Sequence, residues 1–328
     1  MKTVAFFNNK GGVGKTSLVY HVAQMLAEQG KRVLAVDFDP QANLSSMFLT
    51  EAELEGYWPD GEHPRTVFGA LRPIIRGVGD VDRLHVAEIG ERLGLVVGDL
   101  ALSTFEDRLS DAWPRCHNRD ESAFRTLTAF HRGVQRAARE FDAEWVLVDV
   151  GPNLGAINRA ALIASEYVVI PLSPDLFSLQ GLQNLGPSIR AWRAAWAELR
   201  TKCPDQTLEL PSGRIEPLGY VVMQHGVRGN RPPKAYERWI ARFPAAYREH
   251  VLDQRTSVAP PVETDPFCLS TLKHYRSLMP MAMEARKPVF FLKPADGAIG
   301  AHGVAVKAAY DDFLKLARKI AERAGEVV

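Results

Sequence analysis

Four short segments are apolar almost without interruption: TVAFF (3–7), RVLAVD (32–37), WVLVD (145–149) and YVVI (167–170). A strand covered on one face alternates apolar and polar residues, whereas one covered on both reads as a continuous apolar run. These segments therefore predict buried parallel strands. LGYVVM (218–223) is a fifth of the same kind, and LGLVV (93–97) is a candidate addition to the sheet. Between them apolar positions recur every three or four residues, the spacing of amphipathic helices. Strands alternating with helices predict an α/β fold: a mostly parallel sheet, helices on both faces, right-handed crossovers. The stretch 51–144 reads as a mainly helical elaboration with a Gly- and Pro-bearing loop at 55–65. Further loops are expected at 201–217, 259–266 and 293–303, and a closing amphipathic helix at 304–324. Leu182, Leu185, Ile189, Trp192, Trp196 and Leu199 predict a packed helix that restarts at Pro187, not an aromatic cage for a ligand. No repeat or low-complexity tract divides the chain, so 1–328 reads as one domain.

Composition narrows the partners. The 328 residues carry 40 basic and 39 acidic side chains, a formal net charge of +1. No global field draws such a chain to nucleic acid or anionic membrane, so any DNA contact must be a local patch. The three cysteines, Cys116, Cys203 and Cys268, form no CxxC pair. That argues against a disulfide framework, a zinc site or a cysteine-held cluster, and it suits a reducing cytosol. The nine histidines form no HExxH or similar ligand pair. The first residues, MKTVAFFNNK, hold too few apolar positions for a signal peptide, and no apolar run approaches a membrane span. The expectation is a soluble, cytoplasmic chain.

The chemistry begins after the first strand, at Asn9-Lys10-Gly11-Gly12-Val13-Gly14-Lys15-Thr16-Ser17, followed by a helix patterned through Leu18, Val22, Met25 and Leu26. Glycines let successive backbone N–H groups converge on phosphate oxygens, and the helix start adds its positive dipole end. Lys15 is placed to reach the β- and γ-phosphates, and the Thr16 hydroxyl to ligate Mg²⁺. Asn9 stands where the usual phosphate-loop pattern has its first glycine. Two further strands end in carboxylates: Asp37-Phe38-Asp39-Pro40-Gln41-Ala42-Asn43 after the second, and Asp149 closing WVLVD. Phosphoryl transfer needs groups that hold Mg²⁺ and orient water, and Asp37, Asp39 and Asp149 are the candidates.

Lys10-Gly-Gly-Val-Gly-Lys15-Thr16 resembles the deviant Walker A motif of the ParA/MinD family of partitioning and positioning ATPases. The resemblance is dense in 1–50 and 145–186 and looser on to about residue 320. It implies a P-loop ATPase fold, with ATP and Mg²⁺ bound at residues 10–17. It also implies a nucleotide-sandwich homodimer in the ATP state, in which Lys10 reaches the partner's ATP. The segment at 37–43 is similar to the DxDPQxN box of the ParA branch, which makes Asp39 the match of the water-orienting residue. Asp37 then supports the metal's water shell or Lys15, and Asp149 is the Walker B carboxylate. Gly151-Pro152-Asn153-Leu154-Gly155 resembles the family's D-x-P-P-x-x-G switch with Gly151 in place of the first proline. Pro174, in IPLSPD, matches a segment that approaches the base and the partner subunit, and Met223 and Gln224 match the adenine-recognising region.

A local basic patch is available. Lys234, Arg238 and Arg242 are four residues apart, one face of a helix, with Tyr236, Trp239, Ile240, Phe243 and Tyr247 on the other. A solvated face and a non-specific DNA contact are both open. Lys315 and Lys319 in the last helix could extend such a surface. The expected function is a ParA-like ATPase that partitions or positions DNA or another cargo, with hydrolysis stimulated by an adaptor protein. The competing expectations are an ATP-gated protein-binding switch with little turnover and a metabolic or cofactor-assembly member of the same superfamily. The tail ends in Ala-Gly-Glu-Val-Val after a mixed-charge helix, which argues against membrane targeting.

Overall fold

The structure, a computed structural model, describes residues 1–223, 233–255, 258–273, 275 and 277–326, and the side chains of all of these except 233–235. Among the described residues eight strands form one sheet. They are β1 (Lys2–Phe6), β2 (Val33–Asp37), β3 (Ala87–Gly90), β4 (Leu93–Val96), β5 (Trp145–Asp149), β6 (Tyr167–Leu172), β7 (Glu216–Met223) and β8 (Cys268–Leu272). Their order is β3-β4-β2-β5-β1-β6-β7-β8, and β3 on β4 is the one antiparallel pairing among them. The expected parallel α/β sheet is therefore present, with each apolar run at its place to within two residues and 93–97 joining as β4. Two strands were not foreseen. β8 lies at the edge and reads CLSTL, with Ser270 half-buried and Thr271 exposed, while β3 is four residues of which two are exposed. Neither has the unbroken apolar run that marks a central strand.

The continuous runs feed two cores at once, because successive side chains of a strand point to opposite faces. Ala5 and Phe7, Leu34 and Val36, and Val146 and Val148 enter one core. That core is covered by helices Val67–Arg76, Phe105–His117, Glu121–Leu127, Ala129–Phe141, Ala156–Ile163 and Leu176–Arg200. Val4 and Phe6, Val33 and Ala35, and Trp145 and Leu147 enter the other. Lys15–Glu28, Asn43–Phe48, Leu278–Ala285 and Ala301–Arg323 cover this second face. The closing helix thus starts three residues before its expected position.

Two helical expectations are corrected. Leu176–Arg200 runs through Pro187 without restarting. The proline forfeits a backbone hydrogen bond, at about 3 kcal/mol. Leu182, Leu185, Ile189, Trp196 and Leu199 are all buried, at about 1.5–3 kcal/mol for a side chain of this kind, and hold the halves in line. The basic segment is not one helix. Pro233–Ile240 ends before Arg242, and a separate turn of helix starts at Phe243. Pro244 has no N–H to offer the preceding turn, so the helix breaks there.

The helix Lys15–Glu28 is tied to the C-terminal part of the chain by His21, which is 1% exposed. Its Nδ1 lies 2.6 Å from the Ser17 carbonyl and its Nε2 accepts from the Val289 N–H at 3.2 Å. The ring stacks on Phe313 with centroids 4.8 Å apart. One nitrogen donates and the other accepts, so the neutral ring satisfies both partners, while a proton on Nε2 would break the second bond. Burial lowers the His21 pKa to about 4, with the Ser17 carbonyl opposing. An unfolded chain takes up this proton near the ordinary value of 6.5. Folding stability should therefore be full above pH 6.5 and fall by about 3 kcal/mol on acidification towards pH 4. Urea denaturation across this range, for wild type and His21→Gln, measures it. Parallel stability curves for the two proteins would place the acid sensitivity elsewhere.

Candidate functional site

After β1 the chain turns into the helix Lys15–Glu28 through Gly12 and Gly14, at φ +71° and +88°. Those are left-handed values that a side chain resists, so glycine is needed for the loop to curl over the helix start. No side chain caps this helix, which leaves its first N–H groups for an anion. Asn8 pins the loop from below: Nδ2 donates to the Pro171 carbonyl at 2.6 Å and Oδ1 accepts from the Lys10 N–H at 3.0 Å. Gly11 and Gly12 are exposed, Val13 is buried, and Thr16 and Ser17 are half-buried on the first helical turn.

The two lysines are held differently. Lys15 is 6% exposed, and its ammonium donates to the Lys10 carbonyl at 3.1 Å. Burial lowers its pKa, and the Asp149 and Asp39 carboxylates act against that. Lys10 points away from the nest. Its ammonium pairs with the Asp175 carboxylate and lies 5.8 Å from the centre of the Phe177 ring. Asp175 also caps the helix Leu176–Arg200, accepting from the Ser178 N–H at 2.9 Å. Pro174 is buried in the bend before it.

Sheet register brings the carboxylates together. Asp37 of β2 stands opposite Asp149 of β5, which also stands opposite Phe6 of β1. Both aspartates are fully buried. The Asp37 Oδ2 accepts from the Ser45 N–H and hydroxyl, each at 2.8 Å, while the Asp39 N–H reaches Oδ1 at 3.3 Å. Burial pushes Asp37 up to about 7 despite the Ser45 bonds. Asp149 is raised well above the carboxylate range, first by burial and then by Asp37; Thr16 and Lys15 oppose the rise. Among the described residues neither oxygen of Asp149 meets hydrogen-bond geometry with any partner, the Thr16 hydroxyl included. A buried carboxylate left so is costly unless a cation completes it. Asp149 and Asp39 both act on the buried Lys15, and Asp37 adjoins Asp149, so the chemistry of this donor set suits a hard divalent cation.

Asp39 is 6% exposed, and its Oδ1 accepts from the Gln41 N–H at 3.0 Å. A Cβ at Gly151 would stand 3.3 Å from that same oxygen. Glycine, where the resembling switch has proline, therefore leaves Asp39 its room. Met223 ends at the phosphate loop: its Cε lies 2.9 Å from where a Cβ of Gly14 would be. Gln224 lies outside the described residues.

The basic candidates do not converge. Arg238 and Arg242 are exposed and flank Trp239, with guanidinium carbons 5.3 and 5.4 Å from its ring centre. Trp239 packs against the core that holds Leu176–Arg200, whereas Phe313, Leu316 and Ile320 of the closing helix belong to the other core. Lys319 donates to the Cys268 carbonyl at 2.8 Å, and Lys315 is exposed. The side chain of Lys234 is outside the description. Sequence reasoning missed Ser45, Asn158 and the pairing of Asp175 with Lys10. The helix-capping pattern Asp175-x-x-Ser178 was the one available signal.

Known proteins agree with this geometry. The sequence profile of the family described as "AAA domain" matches residues 1–199. The chain is similar to a virulence-plasmid ParA family protein of Chlamydia psittaci, 30% identical over 187 residues, which are 56% of this chain and 62% of that one. It is likewise similar to the chromosome-partitioning ATPase Soj of Thermus thermophilus, 30% identical over 196 residues, 59% of this chain and 64% of the relative. The chain thus spans under two thirds of the length of either. A crystal structure of a Corynebacterium diphtheriae protein has the same fold, with a TM-score of 0.72 at 24% identity over 99% of both chains. No helix among the described residues is long and apolar enough to cross a membrane. With the phosphate loop, the paired strand-end aspartates and these matches together, the chain belongs to the AAA-domain family, in its ParA/MinD group.

Proposed function

We propose that this chain is a Mg·ATP-dependent ATPase that closes as a nucleotide-sandwich homodimer, binds duplex DNA without sequence preference, and partitions or positions a cargo. An adaptor protein would stimulate its slow turnover. The observation that carries the nucleotide site is the fully buried, unpartnered Asp149 beside Lys15, at the mouth of an uncapped, glycine-turned helix. The loop N–H groups and Lys15 bind and orient the phosphates. Asp39 holds and aligns the attacking water, its carboxylate fixed by the Gln41 N–H and free on the side of Gly151. When bound, Mg²⁺ at Thr16 and Asp149 would neutralise charge on the transferring phosphoryl group.

Support for the dimer comes from the same edge of the sheet. Leu100, Leu154, Leu176 and Phe177 follow β4, β5 and β6 and are 58, 39, 43 and 65% exposed. Apolar side chains in successive loops around a phosphate site suit a surface that a second copy covers. Lys10 lies in that rim and would exchange Asp175 for the partner's phosphates. Relatives named as a chromosome-partitioning ATPase and a virulence-plasmid ParA family protein favour the cargo-moving role.

Lys15→Ala should abolish Mg·ATP binding by calorimetry, because it removes the one buried cation of the nest. Wild-type affinity in that variant would rule this loop out as the site.

Lys10→Ala should bind nucleotide yet fail to dimerise with ATP in light scattering. Asp175→Asn keeps a good helix cap and frees Lys10, so it should dimerise at up to about fivefold lower ATP, as releasing a partly exposed ion pair allows. A fully ATP-responsive Lys10→Ala dimer would remove the trans role.

Binding to random-sequence duplex should require ATP and weaken steeply with salt, since dimerisation doubles a sparse patch. Arg238→Glu with Arg242→Glu should keep the ATP dimer and lower the salt slope by about one unit per residue. An unchanged slope would mean that this segment is solvated surface.

A further inference from the structure

Glu106 sits in the first turn of Phe105–His117, within the helical elaboration, yet its carboxylate caps a different helix. The helix Ala156–Ile163 follows the Asp149 loop, and its N-cap, Gly155, offers no side-chain acceptor. The Ala156 N–H donates to Glu106 Oε1 and the Ile157 N–H to Oε2 at 2.9 Å. The site is shaped for this carboxylate: a Cβ on Gly155 would come within 2.6 Å of Oε1. Gly155 has an ordinary φ of −73°, so the requirement at 155 is for space, not for backbone freedom. A negative group at a helix start satisfies two otherwise unpaired donors and meets the positive end of the dipole. Arg159, one turn on, feels the same charge; Glu106 opposes the lowering of its pKa by burial.

The anchored helix carries Asn158, which is 1% exposed. Its side-chain amide donates to the Gly151 carbonyl at 2.9 Å, the Asn153 carbonyl at 2.7 Å and Asn153 Oδ1 at 2.9 Å. Those contacts set the path of 151–153, and Gly151 is the wall against Asp39 Oδ1. Glu106 therefore fixes the helix, the helix fixes Asn158, and Asn158 fixes the loop that bounds the water-orienting carboxylate. Among the described residues neither Glu106 nor Asn158 hydrogen-bonds to the phosphate loop.

Building on the ATPase reading, we propose that Glu106 is a positioning residue for hydrolysis: it sets the loop beside Asp39 and makes the 105–117 helix the route by which the elaboration acts on turnover. Loss of the cap frees the loop without disturbing Lys15 or Thr16, so chemistry slows while nucleotide binding stays.

The test uses the full chain with Mg·ATP and duplex DNA. In Glu106→Ala, kcat should fall about five- to tenfold, the size expected for one lost cap, with KM and ATP affinity within about twofold of wild type. Glu106→Gln keeps the shape but only one of the two acceptors, so its kcat should lie between those of Glu106→Ala and wild type, whereas a merely space-filling role would restore kcat in full. Hydrogen exchange should quicken at Ala156 and Ile157 and stay unchanged in the helix Lys15–Glu28. A wild-type kcat in Glu106→Ala overturns the proposal. So does an equal loss of kcat and ATP affinity in both variants, which would report general unfolding. Wild-type protein that binds no ATP, or never turns it over, would sink the ATPase reading itself, and this role with it.

Discussion

Two fully buried carboxylates stand side by side at the ends of neighbouring parallel strands, and most of the architecture can be traced to keeping them there. Asp37 and Asp149 share one register line, about one strand spacing apart. At that distance, away from water, two negative charges repel strongly, and burial alone already favours protonation of each. The chain resolves the two halves differently. Asp37 receives the N–H and hydroxyl of Ser45, whose oxygen in turn accepts from the Gly98 N–H at 2.8 Å. Asp149 receives nothing from the described residues, and Lys15 supplies the nearby positive charge. One aspartate is thus structurally satisfied and the other has no hydrogen-bond partner among the described residues, a division that identical residue types at identical strand ends would not suggest.

That arrangement needs β5 between β1 and β2, since only then do the phosphate loop, Asp37 and Asp149 issue from three adjacent strands. Each of those strands is apolar on both faces, so each must be covered twice. The second core, under Lys15–Glu28 and the closing helix, holds the nucleotide-binding loop in place, and His21 ties those elements together. The first core, under the elaboration, holds the Asp149 loop through Ala156–Ile163. The site lies along the seam between them.

Much of this could be read from the chain, for a physical reason. Central strands and the phosphate loop are local patterns: unbroken apolar runs, glycines followed by Lys-Thr, carboxylates just past a strand. Edge strands β3 and β8 escaped because an edge needs only half the apolar residues. The break at Arg242 escaped because fourfold spacing looks helical until Pro244 is weighed against it. Trp196 and its neighbours were legible as core, but the uninterrupted passage through Pro187 was not, since tertiary burial overrides a local propensity. Ser45, Asn158 and Glu106 act across 7 to 51 residues of sequence, and nothing in their own surroundings announces a partner.

The two lysines of the loop show how exposure sorts residues by task. Lys15 is almost wholly buried among carboxylates, so moving it would expose uncompensated charge, and it is committed to the nest. Lys10 pairs with Asp175 where both side chains remain about a quarter exposed. An ion pair that wet is worth at most about 1 kcal/mol, because water screens it and will solvate either partner once they part. A lysine that must leave one anion for another is best held by a contact of that strength. Asp175 loses little when it is abandoned, since it still caps the helix through the Ser178 N–H. In the dimer proposed above, the resting contact of Lys10 would be strong enough to hold the side chain and weak enough to yield to a phosphate.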